Sequence, residues 1–150
     1  MNLYPDTSFL CSIYRQQSRT PEALAFRARL KEPLPFTSLL EFEFVQALRL
    51  QVFLHEADNK KGFGQQEADR TLALWQGDIA AGLLYKVAYD AEAVTQLALG
   101  YSNLYTVENG HRTLDLLHVA TAVHLRVATF LTFDVRQTIL AKAAGLKVPF

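Results

Sequence analysis

One stretch constrains this chain more than any other: residues 112–134, RTLDLLHVATAVHLRVATFLTFD. Leu114, Leu117, Ala120, Val123 and Leu125 recur at helical intervals, so residues 113–125 are predicted to form a buried amphipathic helix with Thr113 as its N-cap. Residues 129–133 are short, β-branched and aromatic, and are predicted to form a strand. Asp134 stands where that strand stops and the next helix begins. Helix, loop, strand and an acid at the strand's end make the second half of an α/β unit.

The remaining segments repeat that grammar. Asn2 to Pro5 is a short strand ended by a proline that lacks an N–H for the ladder. Asp6-Thr7-Ser8 then opens a helix carrying Phe9, Leu10, Ile13 and Tyr14. Thr20-Pro21-Glu22 opens a second helix, predicted to end near Glu32. After a brief strand over 34–36, Thr37-Ser38 starts a long helix predicted to reach about Lys60. Its apolar residues, from Leu39 to Phe53, are too many for one face, so core and a partner are both expected to cover it. A helix over 65–81, a strand over 83–89, a helix over 91–105, a helix over 135–144 and a last edge strand over 147–150 complete the order. The pattern implies a mostly parallel sheet with helices on both faces.

Composition narrows the class. A chain of 150 residues suggests one domain, residues 1–150, with a core that needs no staples. Cys11 stands alone, which excludes an internal disulfide and a multi-cysteine metal site. No apolar run approaches a membrane span, so a cytoplasmic protein without a membrane partner is expected. Fifteen basic residues balance fifteen acidic ones, which predicts few phosphate contacts.

The acids carry the chemistry. Asp6 and Asp134 end strands, where the functional edge of an open parallel sheet lies. Asp115 opens the helix before the last main strand. Each alone also serves as an N-cap or a complement to the helix dipole, and Asp90, another strand-end acid, is expected to be a plain N-cap. Glu41 and Glu43 are two apart on one helix and cannot both face one site. Carboxylates gathered within about 4 Å cost roughly 4 kcal/mol per pair at an effective dielectric of 20, so a cluster calls for a cation or a proton. With no further cysteine and no set of histidines, a hard ion, Mg²⁺ or Mn²⁺, suits the donors.

Four stretches now carry a resemblance: YPDTSFL at Tyr4–Leu10, TSLLEFEFVQAL at Thr37–Leu48, RTLDLLHVATAVHL at Arg112–Leu125 and FLTFDVRQTILAKAAGLKV at Phe130–Val148. In this order and spacing the chain resembles the PIN-domain family, most closely the VapC-like toxin ribonucleases of toxin–antitoxin pairs. The resemblance implies a PIN-like three-layer α/β/α sandwich with a mostly parallel sheet of four to five strands. It places the family's acids on Asp6, Asp115 and Asp134. The second acid falls on Glu43 in preference to Glu41, counting from Thr37 and back from Ala47-Leu48. Ser8 matches the small hydroxyl residue beside the first acid, and Thr132 is expected to support Asp134.

The implied activity is endoribonuclease, with Mg²⁺ or Mn²⁺ held by the four acids. RNA is the implied substrate, with Arg15, Arg19, Arg112 and Arg136 expected to contact it. A cognate antitoxin and a homodimer are the implied partners. A non-toxin PIN nuclease in RNA processing, or a PIN module that only binds RNA or protein, are the alternatives. A haloacid-dehalogenase-type phosphatase needs a second Asp where this chain has Ser8. A receiver domain needs adjacent acids after its first strand, where Asp6 stands alone. His118 is expected to be a satisfied core histidine, and Trp75 a packing residue.

Overall fold

The computed structural model describes residues 2–150, which divide into two compact units: residues 2–9 with Val87–Phe150, and Leu10–Lys86.

In the first unit, β1 (Leu3–Pro5) runs parallel to β4 (Thr129–Leu131), with Tyr4 opposite Phe130 and Pro5 opposite Leu131. A parallel bridge from Thr129 to Lys147 lies on the other side of β4. The edge strand expected over 147–150 contracts to this bridge, and Pro149 has no N–H with which to extend it. The strands are buried: Tyr4 and Phe130 are fully covered and stack with ring centroids 6.0 Å apart. Phe9, Phe133 and Phe150 form a second aromatic cluster with centroids 4.6–5.7 Å apart.

Helix α5 (Ala91–Tyr101) packs on α7 (Thr113–His124), which in turn packs on α8 (Val135–Ala143). The helix expected over 91–105 is not uniform. It passes into a π-helix at Ser102–Thr106 and a single turn, α6 (Val107–Asn109), which Gly110 ends at φ 65°. That left-handed terminus is open to glycine without a Cβ penalty. Arg112, not Thr113, is the N-cap of α7. The Asp115 carboxylate reaches back to accept the Arg112 N–H at 3.2 Å, so the helix start does not depend on the Thr113 hydroxyl.

In the second unit, β2 (Leu34–Phe36) pairs in parallel with β3 (Leu84–Lys86), Phe36 opposite Lys86. The strand expected over 83–89 is thus only three residues long. Helices α2 (Thr20–Arg29), α3 (Ser38–Ala57) and α4 (Gln65–Ala80) surround the pair in sequence. Helix α1 (Thr7–Tyr14) carries the chain from one unit into the other. Helix α3 stops at Ala57 rather than near Lys60, where Asp58 turns extended. Likewise α2 stops at Arg29, short of Glu32.

Trp75 is a packing residue, as expected: it lies 4.7 Å from the Phe44 ring and 5.0 Å from Phe36. On α3, Leu40, Phe44 and Leu48 are buried, while Phe42 and Phe53 are 65% and 66% exposed. After α3 the chain turns at Gly62, φ 57°, pressed so close to Gln51 that a Cβ would collide with its carbonyl.

Among the described residues each strand pair is parallel within itself, as the sequence implies. The strands form two separate pairs rather than the one four- to five-stranded sheet expected. Strands of three residues leave little ladder to share, and Pro5 and Pro35 each remove a donor. Among the described residues no helix is long and apolar enough to cross a membrane.

Candidate active site

The site begins with the register of β1 and β4. Asp6 donates its backbone N–H to Leu131 O at 2.9 Å, which sets it beside Thr132 just past the strand ends. Its side chain is fully buried. Oδ1 accepts the Ser8 hydroxyl at 2.7 Å and the Phe9 N–H at 2.8 Å. Oδ2 accepts the Thr132 hydroxyl at 2.6 Å. Ser8 Oγ also accepts the Phe133 N–H at 2.9 Å, and Thr132 Oγ1 accepts the Asp134 N–H at 3.0 Å. Two hydroxyls therefore tie Asp6 to the backbone that presents Asp134. Ser8 and Thr132 sit where the sequence placed them, and Thr132 serves both acids.

Burial pushes the Asp6 carboxyl up to about 6, against the lowering effect of Thr132, Phe9, Ser8 and the nearby His118. His118 is a satisfied core residue, as expected: it is fully buried, and its Nδ1 lies 3.2 Å from the Tyr4 hydroxyl. Tyr4 lies in β1, and Asp6 stands one residue past its end. Asp115 is one turn before His118 on α7 and is buried, with its carboxylate on the Arg112 N–H. Asp134 is half-buried and caps α8 through Oδ1, on the Arg136 and Gln137 N–H groups at 2.7 and 3.0 Å. The plain capping role is therefore real for Asp134, and equally for the exposed Asp90, which accepts from Glu92 and Ala93.

The two glutamates lie on α3 in the other unit. Glu41 is engaged by Lys86 at 2.6 Å. Glu43 is half-buried. Of the arginines, Arg112 and Arg136 are exposed beside Asp115 and Asp134 in sequence. Arg19 is paired with Glu22 at 2.7 Å, and Arg15 lies over the Phe63 ring.

Among the described residues, no three Asp, Glu, His or Cys side chains close on a common point as a formed cation cage. The donor chemistry nonetheless suits a hard ion: carboxylate oxygens of Asp6, Asp115 and Asp134, supported by hydroxyls, with no thiolate among them. One turn past Asp134, the buried Gln137 carries an Oε1 without a partner, an oxygen of the same class that the sequence reading passed over. Its signal in the sequence is slight: a polar residue at the third position of a helix.

No family model matches the chain, and no curated protein does. Solved structures do. VapC20 of Mycobacterium tuberculosis, a sarcin-ricin loop cleaving toxin, superimposes with a TM-score of 0.67 at 16% identity, covering 97% of each chain. FitAcB from Neisseria gonorrhoeae gives 0.64 at 15% identity over 97% of this chain and 95% of that one. VapBC2 from Rickettsia felis, solved bound to a DNA fragment from its promoter, gives 0.61 at 13% identity over 99% and 97%. At these identities the likeness is one of fold, and it is the PIN-like fold that the four sequence stretches implied.

Proposed function

We propose that the chain is a divalent-metal-dependent endoribonuclease acting as the toxin of a VapBC-type pair. The observation that carries this is Asp6, a fully buried carboxylate held by two hydroxyls and an N–H at the end of β1. A helix cap needs only one acceptor, and an uncompensated buried charge is costly. A cation beside Asp6 offsets that cost. The likeness of fold to a toxin that cleaves RNA supports the same reading.

Asp6, Asp115, Asp134 and Glu43 are the proposed holders of Mg²⁺ or Mn²⁺. Such an ion supplies Lewis-acid polarisation of a phosphodiester and lowers the pKa of bound water. The chain's own part is orientation. Ser8, Thr132 and the Phe9 N–H fix both Asp6 oxygens, and Thr132 couples them to the Asp134 backbone. With its carboxyl raised to about 6, Asp6 is mostly ionised near neutral pH despite its burial. Arg112 and Arg136 are proposed to meet RNA phosphates beside the acids. The exposed α3 face of Phe42, Leu50 and Phe53 is proposed to be covered by a second copy and by a hydrophobic segment of an antitoxin, in a cytoplasmic complex.

The test is cleavage of a labelled RNA by the purified chain in Mg²⁺ or Mn²⁺. Activity lost in EDTA, restored by the metal and absent from Asp6→Asn is expected. Undiminished cleavage in EDTA removes the metal-dependent reading.

A further inference from the structure

A cavity of about 320 Å³ lies wholly within the second unit, walled by the end of α1, the start of α2 and α4. It is in the size range of small-ligand sites, roughly 300–1,000 Å³. Its apolar wall is Ile13, Leu24 and Leu74, and the two leucines are 46% and 52% exposed. Its polar groups divide into two kinds. The Tyr14 hydroxyl is bound to Asp78 at 2.6 Å, and the Thr20 hydroxyl is bound to Arg15 O at 2.7 Å. Those are engaged within the protein. Arg15 and Arg70 are not: among the described residues neither side chain has an ion pair or a hydrogen bond. A second cavity of about 400 Å³ shares Arg70 and Glu67 with the first. In the first cavity two guanidiniums against one carboxylate leave the wall cationic.

Arg15 adds a shape to that charge. Its guanidinium carbon sits 4.5 Å from the Phe63 ring centroid, so one face of the planar cation is committed to the ring. Arginine held this way keeps its donor edge for an anion and its other face for a flat ring, and a nucleobase with its phosphate uses both, whereas a peptide carboxylate uses the edge alone. A ligand that carries a flat ring, an anionic link and tolerance for an apolar wall is a nucleotide of single-stranded nucleic acid.

We infer that this cavity is a nucleotide subsite, in which Arg70 takes a phosphate and Arg15 stacks under a base of a single-stranded RNA. The ribonuclease reading above identifies the ligand as RNA, and the inference rests on it in that respect. Arg70 is a binding residue that the sequence did not single out.

The experiment is fluorescence anisotropy with a short fluorescein-labelled single-stranded RNA, on the full chain carrying Asp6→Asn so that the probe survives. Arg70 is exposed, so Arg70→Ala leaves the fold intact, as circular dichroism checks. Arg70→Ala is expected to weaken RNA binding about tenfold, and to lower the slope of log affinity against log salt by about 0.7. Arg15→Lys, which keeps charge and loses the plane, is expected to weaken it too. Arg29→Ala, outside the cavity, serves as the control with unchanged binding. If Arg70→Ala and Arg15→Lys both bind RNA as tightly as the parent, the subsite does not exist. If they instead lose affinity for an acidic protein partner while RNA binding stands, the cavity is a protein-docking site and the inference is likewise overturned. Cleavage by the unsubstituted chain is measured alongside. A chain that binds RNA through Arg70 without cutting it keeps the subsite and removes the nuclease.

Discussion

Two strand-to-helix corners in this molecule are built alike and differ in one residue. After β1 comes Asp6, which accepts the Phe9 N–H at 2.8 Å; after β2 comes Thr37, which accepts the Leu40 N–H at 3.3 Å. Both residues are fully buried, and both follow a three-residue parallel strand. As caps they do the same work. Thr37 does it with a neutral oxygen. Asp6 does it with a carboxyl whose pKa burial lifts from 3.8 to about 6, which amounts to roughly 3 kcal/mol against the ionised form. A threonine would have sufficed for the helix. The buried charge exceeds what a helix cap requires, and that excess is what motivates the role proposed for Asp6.

The largest effect expected is on cleavage. Asp6→Asn, Asp115→Asn and Asp134→Asn should each lower RNA cleavage by at least about 10²-fold, while Thr37→Val leaves it at the parent rate. An active Asp6→Asn enzyme would erase the distinction between the two corners. The same assay registers the long helix: Glu43→Gln should inactivate and Glu41→Gln, which loses only its exposed pairing with Lys86, should not.

Stability against pH gives the next largest signal. Asp6 holds its proton more tightly folded than unfolded, so below pH 4 both states are protonated and no cost arises. Between about pH 4 and 6 the unfolded chain ionises first, and stability falls by up to roughly 3 kcal/mol; above that range the cost is fully present. Urea unfolding in EDTA should show this decline, and Asp6→Asn should flatten it. A slope that persists unchanged in Asp6→Asn would assign it to other groups. Added Mg²⁺ or Mn²⁺ should then stabilise the fold against urea more at pH 7.5 than at pH 5, since the ionised site binds it, by about 2.7 kcal/mol at pH 7.5 and a hundredfold excess over Kd. Equal shifts at both pH values would separate metal binding from Asp6.

Smaller effects test the supports. Thr132→Val strips a hydroxyl from buried Asp6 and should cost about 1–3 kcal/mol, together with a loss of activity. Thr37→Ala should cost about 1 kcal/mol and no activity. If the two losses proved alike in both assays, the corners would be equivalent after all.

Asp6 and Asp134 were readable as acids that follow a strand and open an apolar helix, and both stand at such corners in the structure; Asp115, in the first turn of α7, has no such mark. Ser8 and Thr132 were singled out through the family resemblance, and both hydroxyls bond Asp6 in the structure. What failed were boundaries. Strands of three residues carry too little alternation to fix their ends, and the Lys147 bridge looks in sequence like the start of a longer strand. The break of α5 into a π-helix leaves no mark, because Ser102 to Thr106 are acceptable helix residues whose hydrogen bonding shifts by one. The N-cap of α7 was misassigned to Thr113 because a hydroxyl is the stronger local signal, whereas Asp115 caps from three residues inside. Arg70 was invisible because the role proposed for it depends on Arg15, which is distant in sequence and lines the same cavity only once α1 and α4 have packed.

The turn after α3 has a consequence for anyone wishing to decorate the molecule. Gly62 lies against the Gln51 carbonyl, and the Phe63 N–H points to the same oxygen at 3.4 Å. The loop is thus clipped to its own preceding helix, and a peptide tag or reporter grafted there has no room to leave the surface without unclipping Phe63 from beneath Arg15. Gly82, with nothing within 4 Å of where a Cβ would stand, is the bend of the same unit at which an insertion is expected to cost less than at Gly62.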